Sequence, residues 1–235
     1  MSKFAPKIMA ASDGKPVEIL IHGPIGKSFW SDDGISGKEV TDAINSVPRG
    51  TKFVIGVNSQ GGAVGEGLAI YNAIARRRDD ATVRIDGYAL SIASFFPLAA
   101  LRVISPKSSI WMLHKAWNWS QGNCDQLRKD ANLLETHDEV LASAYAERTG
   151  KSRNEIVAAM EEETWFTGEE AIAYGLADEE SNNEPDLMPL DLAPFKNVPS
   201  ALSQFMLAPS LAVAASFNFR RVPASAQTHK TNNTN

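Results

Sequence analysis

The chain has 235 residues, 43% of them hydrophobic, with 23 Lys and Arg against 28 Asp and Glu. That length supports one sizeable core and argues for one compact domain plus a tail. A formal charge of −5 implies no basic face, so nucleic acid is not an expected partner.

The single cysteine, Cys124, cannot form an internal disulfide, which fits a reducing compartment. The opening MSKFAPKIMAASDGK has lysines but no continuous apolar run, so it is not expected to act as a signal peptide. The longest apolar stretch, around Ala89 to Leu101, holds Ser91, Ser94 and Pro97. It is too short for a bilayer span, which needs ~20 residues, and reads as a buried helix. The expectation is a soluble cytoplasmic protein with no membrane partner.

Residues 1–16 read as a flexible lead. Val17 to Ile21 forms a first strand, closed by His22-Gly23-Pro24. His22, a strand-end histidine, reads as structural. A helix starts at Ser36 or Gly37, with Val40, Ala43, Ile44 and Val47 on its apolar side, and stops at Pro48. Phe53 to Val57 is a second, fully apolar strand. The turn Asn58-Ser59-Gln60-Gly61-Gly62 follows it, and a helix from Gly65 to Arg77 comes next. Arg76-Arg77-Arg78 at its end suits the helix dipole and reads as a solvated C-terminus.

A strand from Thr82 ends near Gly87, and an apolar helical run starts at Ile92, with Ser91 at the junction. A serine at a sharp strand-to-helix turn has its hydroxyl at a helix N-terminus, where free N–H groups can face developing negative charge. The same residue could instead cap a buried helix. Two short strands, Arg102 to Ile104 and Ser109 to Leu113, lead to His114. A histidine at a strand end can act as the base for a serine. Gly122 to Arg148 reads as a long helix stopped by Gly150. Ser152 and Glu155 make a capping box, and Gly168 to Tyr174 is a last helix, closed by Gly175.

From Glu179 the composition turns linker-like, with apolar groups broken by Pro194, Pro199 and Pro209 and a polar end. The division is therefore a lead at 1–16, a domain at 17–178 and a linker and partly disordered tail at 179–235. No metal-type Cys/His spacing occurs, and no cofactor is expected. Strands alternating with helices give an α/β fold class.

In order, NSQGGAVGEGLAIYNAI, DGYALSIAS, MLHKAWNWSQGN and ETWFTGEEAIAYGLAD resemble the ClpP family of serine peptidases. Its pattern is an Asn-Ser-Pro-Gly-Gly turn, a Gly-x-Ala-x-Ser turn, a Met-Ile-His strand end and an aromatic segment before Glu-Ala-x-x-x-Gly-Leu. The resemblance covers about Val17 to Asp178. It is nearest the branch found in phage and prophage head-gene clusters, where the Glu-Thr-Trp segment is usual.

The resemblance implies a ClpP/crotonase-like spiral of repeated ββα units, assembled as a homo-oligomeric ring. It makes Trp117 to Arg148 a projecting handle. It implies hydrolysis of polypeptide by Ser91 as nucleophile and His114 as base, with an oxyanion hole at the N–H groups of Gly62 and Ile92. The third triad member falls at Glu163, with Glu161 and Glu162 as close alternatives. Gln60 replaces the family's usual proline, which implies a less rigid turn. The N-terminus lacks a match to the axial segment used with an AAA+ ATPase, which leaves that partner in question.

A phage head-maturation protease acting on capsid or scaffold proteins, in the host cytoplasm, is the narrower expectation. The other readings are a crotonase-like acyl-CoA enzyme and a catalytically idle scaffold subunit. A Ser-Lys variant would need Lys115, whose side chain should point away from that of His114 on a strand. The tail is expected to be trimmed by Ser91 chemistry and to be dispensable for hydrolysis.

Overall fold

The computed structural model describes residues 4–9, 16–27, 33–181, 195–200 and 202. The family of elements is α/β. It opens with β1 (Lys7–Met9), β2 (Val17–His22), α1 (Gly37–Ser46), β3 (Phe53–Ser59), α2 (Val64–Ala75) and β4 (Ala81–Leu90). It continues with α3 (Ile92–Phe95), β5 (Arg102–Pro106), β6 (Ile110–Leu113), α4 (Cys124–Thr149) and α5 (Arg153–Glu161). It closes with β7 (Thr164–Thr167), α6 (Gly168–Tyr174) and β8 (Glu179–Ser181).

One sheet runs in the order β1-β2-β3-β4-β5-β8, and β6 leaves it to pair with both β4 and β7. Neighbours are parallel except β1 with β2 and β6 with β7. β3 is apolar or small on both faces, as a buried parallel strand requires, whereas β2 and β4 carry Glu18, His22, Arg84 and Asp86 on one face, paired with one another.

The strand β4 does two jobs. Thr82 to Arg84 pair with β5, whereas Tyr88 to Leu90 pair with β6. The change is accommodated by a register shift against β3 between Val57 and Ser59. There the buried Asn58 side chain accepts the Tyr88 N–H at 3.0 Å. That bond replaces a missing ladder bond, so the strand continues past Gly87, where the sequence pattern ended it, and delivers Leu90 beside β6.

Alternation on these strands gives two cores. Ala89, Trp111 and Leu113 face the main cluster, built with the buried sides of α1, α2, α4, α5 and α6. Tyr88, Leu90, Ile110 and Met112 face the other way, with Trp165 of β7. This second face is covered by Phe195, Val198 and the fully buried Leu202. The apolar groups of this part of the tail thus use the sheet as their core. Residues 203–235, on which much of the expected trimming falls, lie outside those described.

Several local expectations change for stated reasons. The apolar run after Ser91 is one α-turn followed by a 3₁₀ turn at Phe96–Ala99, with Pro97 inside it. Proline carries no N–H to continue an α ladder. Lys7–Met9 forms an edge strand within the expected lead, and Glu179–Ser181 pairs with β5 within the expected linker. The long helix α4 buries only Leu141, Ala142 and Tyr145, near its C-terminal end. Its first half stands off the domain beside the exposed Trp117 and Trp119.

Arg77 is the clearest departure. Its side chain is buried, not solvated, and donates to the carbonyls of Ile44, Val47 and Pro48 at 2.9–3.2 Å. It also pairs with Asp80 at 3.1 Å and lies over the Phe53 ring. The guanidinium adds its donors to the carbonyls at the end of α1, which carries no basic residue in its last turn; Ile44 and Pro48 also accept the N–H groups of Val47 and Thr51. His22 is structural, as expected, through an acid the linear sequence does not place beside it. Its Nε2 lies 3.0 Å from Asp86 Oδ2 on β4, and Asp86 also accepts from Arg84.

Candidate active site

The parallel pairing of Leu90 with Met112 sets the site. It brings the residue after β4, Ser91, beside the residue two beyond Met112, His114. The Ser91 N–H donates to the Met112 carbonyl at 2.9 Å, which extends the ladder into the turn. His114 Nε2 then lies 2.7 Å from Ser91 Oγ. With its proton on Nδ1, the imidazole accepts the serine hydroxyl hydrogen.

Ser91 has φ 56 and ψ −131, a positive-φ conformation that a non-glycine residue rarely adopts. The turn is held by Ser94, whose Oγ lies 2.6 Å from the Ser91 carbonyl and 3.0 Å from that of Met112. Tyr145 Oη, from α4, closes on the same hydroxyl at 2.7 Å. Neither residue is legible in the sequence as part of the site. The one available signal was a serine within an otherwise apolar run, a buried polar group that must find partners.

The Gly61-Gly62 turn packs directly on this corner. A Cβ on Gly61 would stand 2.7 Å from Ser91 Cβ, and Gly61 has φ 91. Gly62 has φ 151 and is bridged to Ile25. The bridge bonds run from Ile25 N–H to the Gly61 carbonyl and from Ala63 N–H to the Ile25 carbonyl, at 2.9 and 2.8 Å. In a parallel bridge the middle residue's own N–H points away from its partner. Ile25 is therefore a further residue that shapes the turn. Ile92 follows Ser91 as the first residue of α3, where its N–H has no intrahelical acceptor. Gln60 sits half-buried at the turn in place of the expected proline.

A small cavity of about 10 Å³ opens at the serine, lined by Val64, Ser91, Ile92, His114, Ala116, Leu141 and Tyr145. Lys115 points elsewhere, into an exposed ion pair with Glu161 at 2.7 Å.

The three candidate acids separate clearly. Glu161 and Glu162 are exposed, whereas Glu163 is 7% exposed. The reason is the antiparallel register of β6 and β7, in which Leu113 pairs with Thr164. His114 and Glu163 are the next residues beyond that pair, and the Glu163 charge acts on the His114 ring. Glu163 also has φ 50, in the left-handed region. No hydrogen bond joins its carboxylate to His114 among the described residues. Instead Oε1 accepts the Asn197 N–H at 2.7 Å and Oε2 the Lys196 N–H at 3.1 Å. Phe195 stands edge-on to the His114 ring, with centroids 6.0 Å apart.

These surroundings lower the His114 pKa from 6.5 to about 4. Burial is the main cause, the Glu163 charge opposes it, and the Lys196 ammonium adds to it. A histidine so placed is neutral at neutral pH, as a base must be before it takes a proton. No cluster of His, Cys, Asp and Glu able to hold a metal ion occurs among the described residues. None of their helices is long and apolar enough to cross a membrane.

Residues 43–183, more than half of the chain, match the family model described as Clp protease. The match spans β3 to β8 and so contains Gly62, Ser91, His114 and Glu163.

Proposed function

We propose that this chain, which belongs to the Clp protease family, is a serine endopeptidase that cuts polypeptides with Ser91, His114 and Glu163. The observation that carries the reading is the 2.7 Å contact between Ser91 Oγ and His114 Nε2 at a strained, positive-φ turn.

The proposed steps are these. Ser91 Oγ attacks the scissile carbonyl carbon as its proton passes to His114 Nε2. The carbonyl oxygen becomes an oxyanion and accepts from the N–H groups of Gly62 and Ile92. Each such donor contributes roughly 3 kcal/mol to transition-state stabilisation. His114 returns the proton to the leaving amine, and the carbon–nitrogen bond breaks. Water, deprotonated by the same imidazole, then hydrolyses the acyl-enzyme. The Glu163 charge stabilises the imidazolium that forms in each half.

The active form is a homo-oligomeric ring, in keeping with the family, and the exposed first half of α4 with Trp117 and Trp119 supports this. A phage capsid or scaffold protein as substrate is the narrower proposal, supported by the Glu-Thr-Trp segment.

A fluorophosphonate probe tests the assignment. Wild type should be labelled, Ser91→Ala should not, and His114→Ala should be labelled far more weakly. Equal labelling of wild type and Ser91→Ala overturns the serine-peptidase reading. An acyl-CoA enzyme would instead bind CoA esters and resist the probe.

A further inference from the structure

We propose that residues 195–200 and Leu202 form a clasp that completes the catalytic centre from behind, by fixing the Glu163 carboxylate beside His114. The inference rests on the reading of Ser91 and His114 as a peptidase pair.

Two anchors hold the clasp. Leu202 is fully buried against Tyr88, Leu90, Ile110, Met112 and Trp165, on the sheet face opposite the main core. Phe195 wedges between His114 and Trp165, at 6.0 and 5.6 Å between ring centroids, both edge-on. Between these anchors the backbone delivers its amides. Lys196 N–H and Asn197 N–H take one oxygen each of the Glu163 carboxylate. The Asn197 side-chain amide reaches the Glu162 carbonyl at 2.7 Å and ties the clasp to the turn itself.

Glu163 needs this help. It is buried, its backbone is in the left-handed region, and its side chain is one methylene longer than aspartate. A buried carboxylate without donors is costly, and a long side chain in a strained turn has several rotamers to choose from. Two backbone N–H bonds select one. The carboxylate is then held as a fixed charge beside the ring, ready when the imidazolium forms.

An inhibitory plug would have to sit on Ser91 or in the cavity beside it. The cavity is lined from Val64 round to Tyr145 by residues of the domain, and none of them belongs to the clasp. Phe195 meets the His114 ring without lining that cavity. This part of the tail therefore belongs to the working enzyme, against the expectation that the whole tail is dispensable.

The test uses full-length protein with peptide hydrolysis as one readout. Asn197→Pro deletes the N–H that binds Glu163 Oε1, whereas Asn197→Ala keeps it. Asn197→Pro should lower kcat by roughly tenfold to a hundredfold with KM little changed. Asn197→Ala should lose far less. Combined with Glu163→Gln, Asn197→Pro should add nothing, since both act through one carboxylate. Leu202→Asp undocks the clasp by another route and should behave like Asn197→Pro.

The second readout is the NMR titration of His114, which needs no hydrolysis. The groups facing that ring are Glu163 from the turn before β7 and Lys196 from the clasp. Glu163→Gln should shift the His114 midpoint in the full chain and leave it unmoved in Leu202→Asp. Hydrolysis at or above the wild-type rate in both Asn197→Pro and Leu202→Asp overturns the clasp. So does a Glu163→Gln shift of the same size with and without Leu202. If no Ser91-dependent hydrolysis exists, the peptidase reading fails while the titration still decides the clasp.

Discussion

Glu163 stands close enough to His114 for its charge to act on the ring, yet its carboxylate accepts its hydrogen bonds from Lys196 and Asn197. The acid thus acts on the imidazole as a charge held at a distance. The consequences for activity differ from those of an acid bonded to the ring, and they can be measured.

The first concerns pH. With His114 lowered to about 4, the base form is present across the neutral range. The acidic limb of kcat/KM should therefore fall near pH 4, not near the ordinary 6.5. Glu163 raises the His114 pKa, so Glu163→Gln should move the limb to still lower pH. Lys196 lowers it, so Lys196→Ala should move the limb upward. A wild-type limb near 6.5 would show that His114 is not buried by Phe195 and its neighbours in solution.

The acidic run should respond unequally. Glu163→Gln removes the charge beside the imidazole and should reduce kcat at least about tenfold. Glu161→Gln loses an exposed ion pair with Lys115, and Glu162→Gln changes an exposed side chain. Exposed pairs contribute little, so both should stay near wild type. Circular dichroism of all three variants checks that the fold is kept. Equal small effects would return the run to surface charge.

Gly62→Ala should abolish most hydrolysis. A Cβ there would stand 2.1 Å from the Ile25 carbonyl oxygen, at a φ that side chains rarely adopt. The turn must shift, and if the Gly62 N–H is an oxyanion donor as proposed, its loss costs roughly a hundredfold or more in kcat. Gly65→Ala is the control. That position has open space around it, so activity should persist. Comparable rates in both variants would remove Gly62 from the oxyanion hole.

Arg77→Ala should act on stability alone. It takes one donor from each of the Ile44, Val47 and Pro48 carbonyls and from the Asp80 carboxylate, of which Ile44, Pro48 and Asp80 keep the N–H groups of Val47, Thr51 and Gly50. The expected loss is about 2–4 kcal/mol by denaturant titration. Arg77→Lys should recover little of it, because one ammonium cannot reach three carbonyls in a fork. Active-site labelling of the folded fraction should be unchanged.

Much was legible in the sequence because it depends on neighbours along the chain. Helix starts such as Ser152 with Glu155 and stops such as Gly150 are local chemistry, and the structure has them as read. So were the strand before the glycine pair, the turn at Ser91 and the strand end at His114. These motifs carry the family resemblance, and each uses residues close in sequence. What the sequence could not decide lies between distant segments. Arg77 looks like a solvated helix end until the end of α1 presents three carbonyls to it. His22 finds Asp86 only when β2, β3 and β4 align. Ser94 and Tyr145 meet at the Ser91 turn only after α4 returns to the sheet. The choice among three adjacent glutamates is made by the β6–β7 register, which slips every side chain to the other face if moved by one residue. The hold on the chosen one comes from Lys196 and Asn197, more than thirty positions away. Local pattern sets which residues could do chemistry; strand register and the return of the chain set which of them meet.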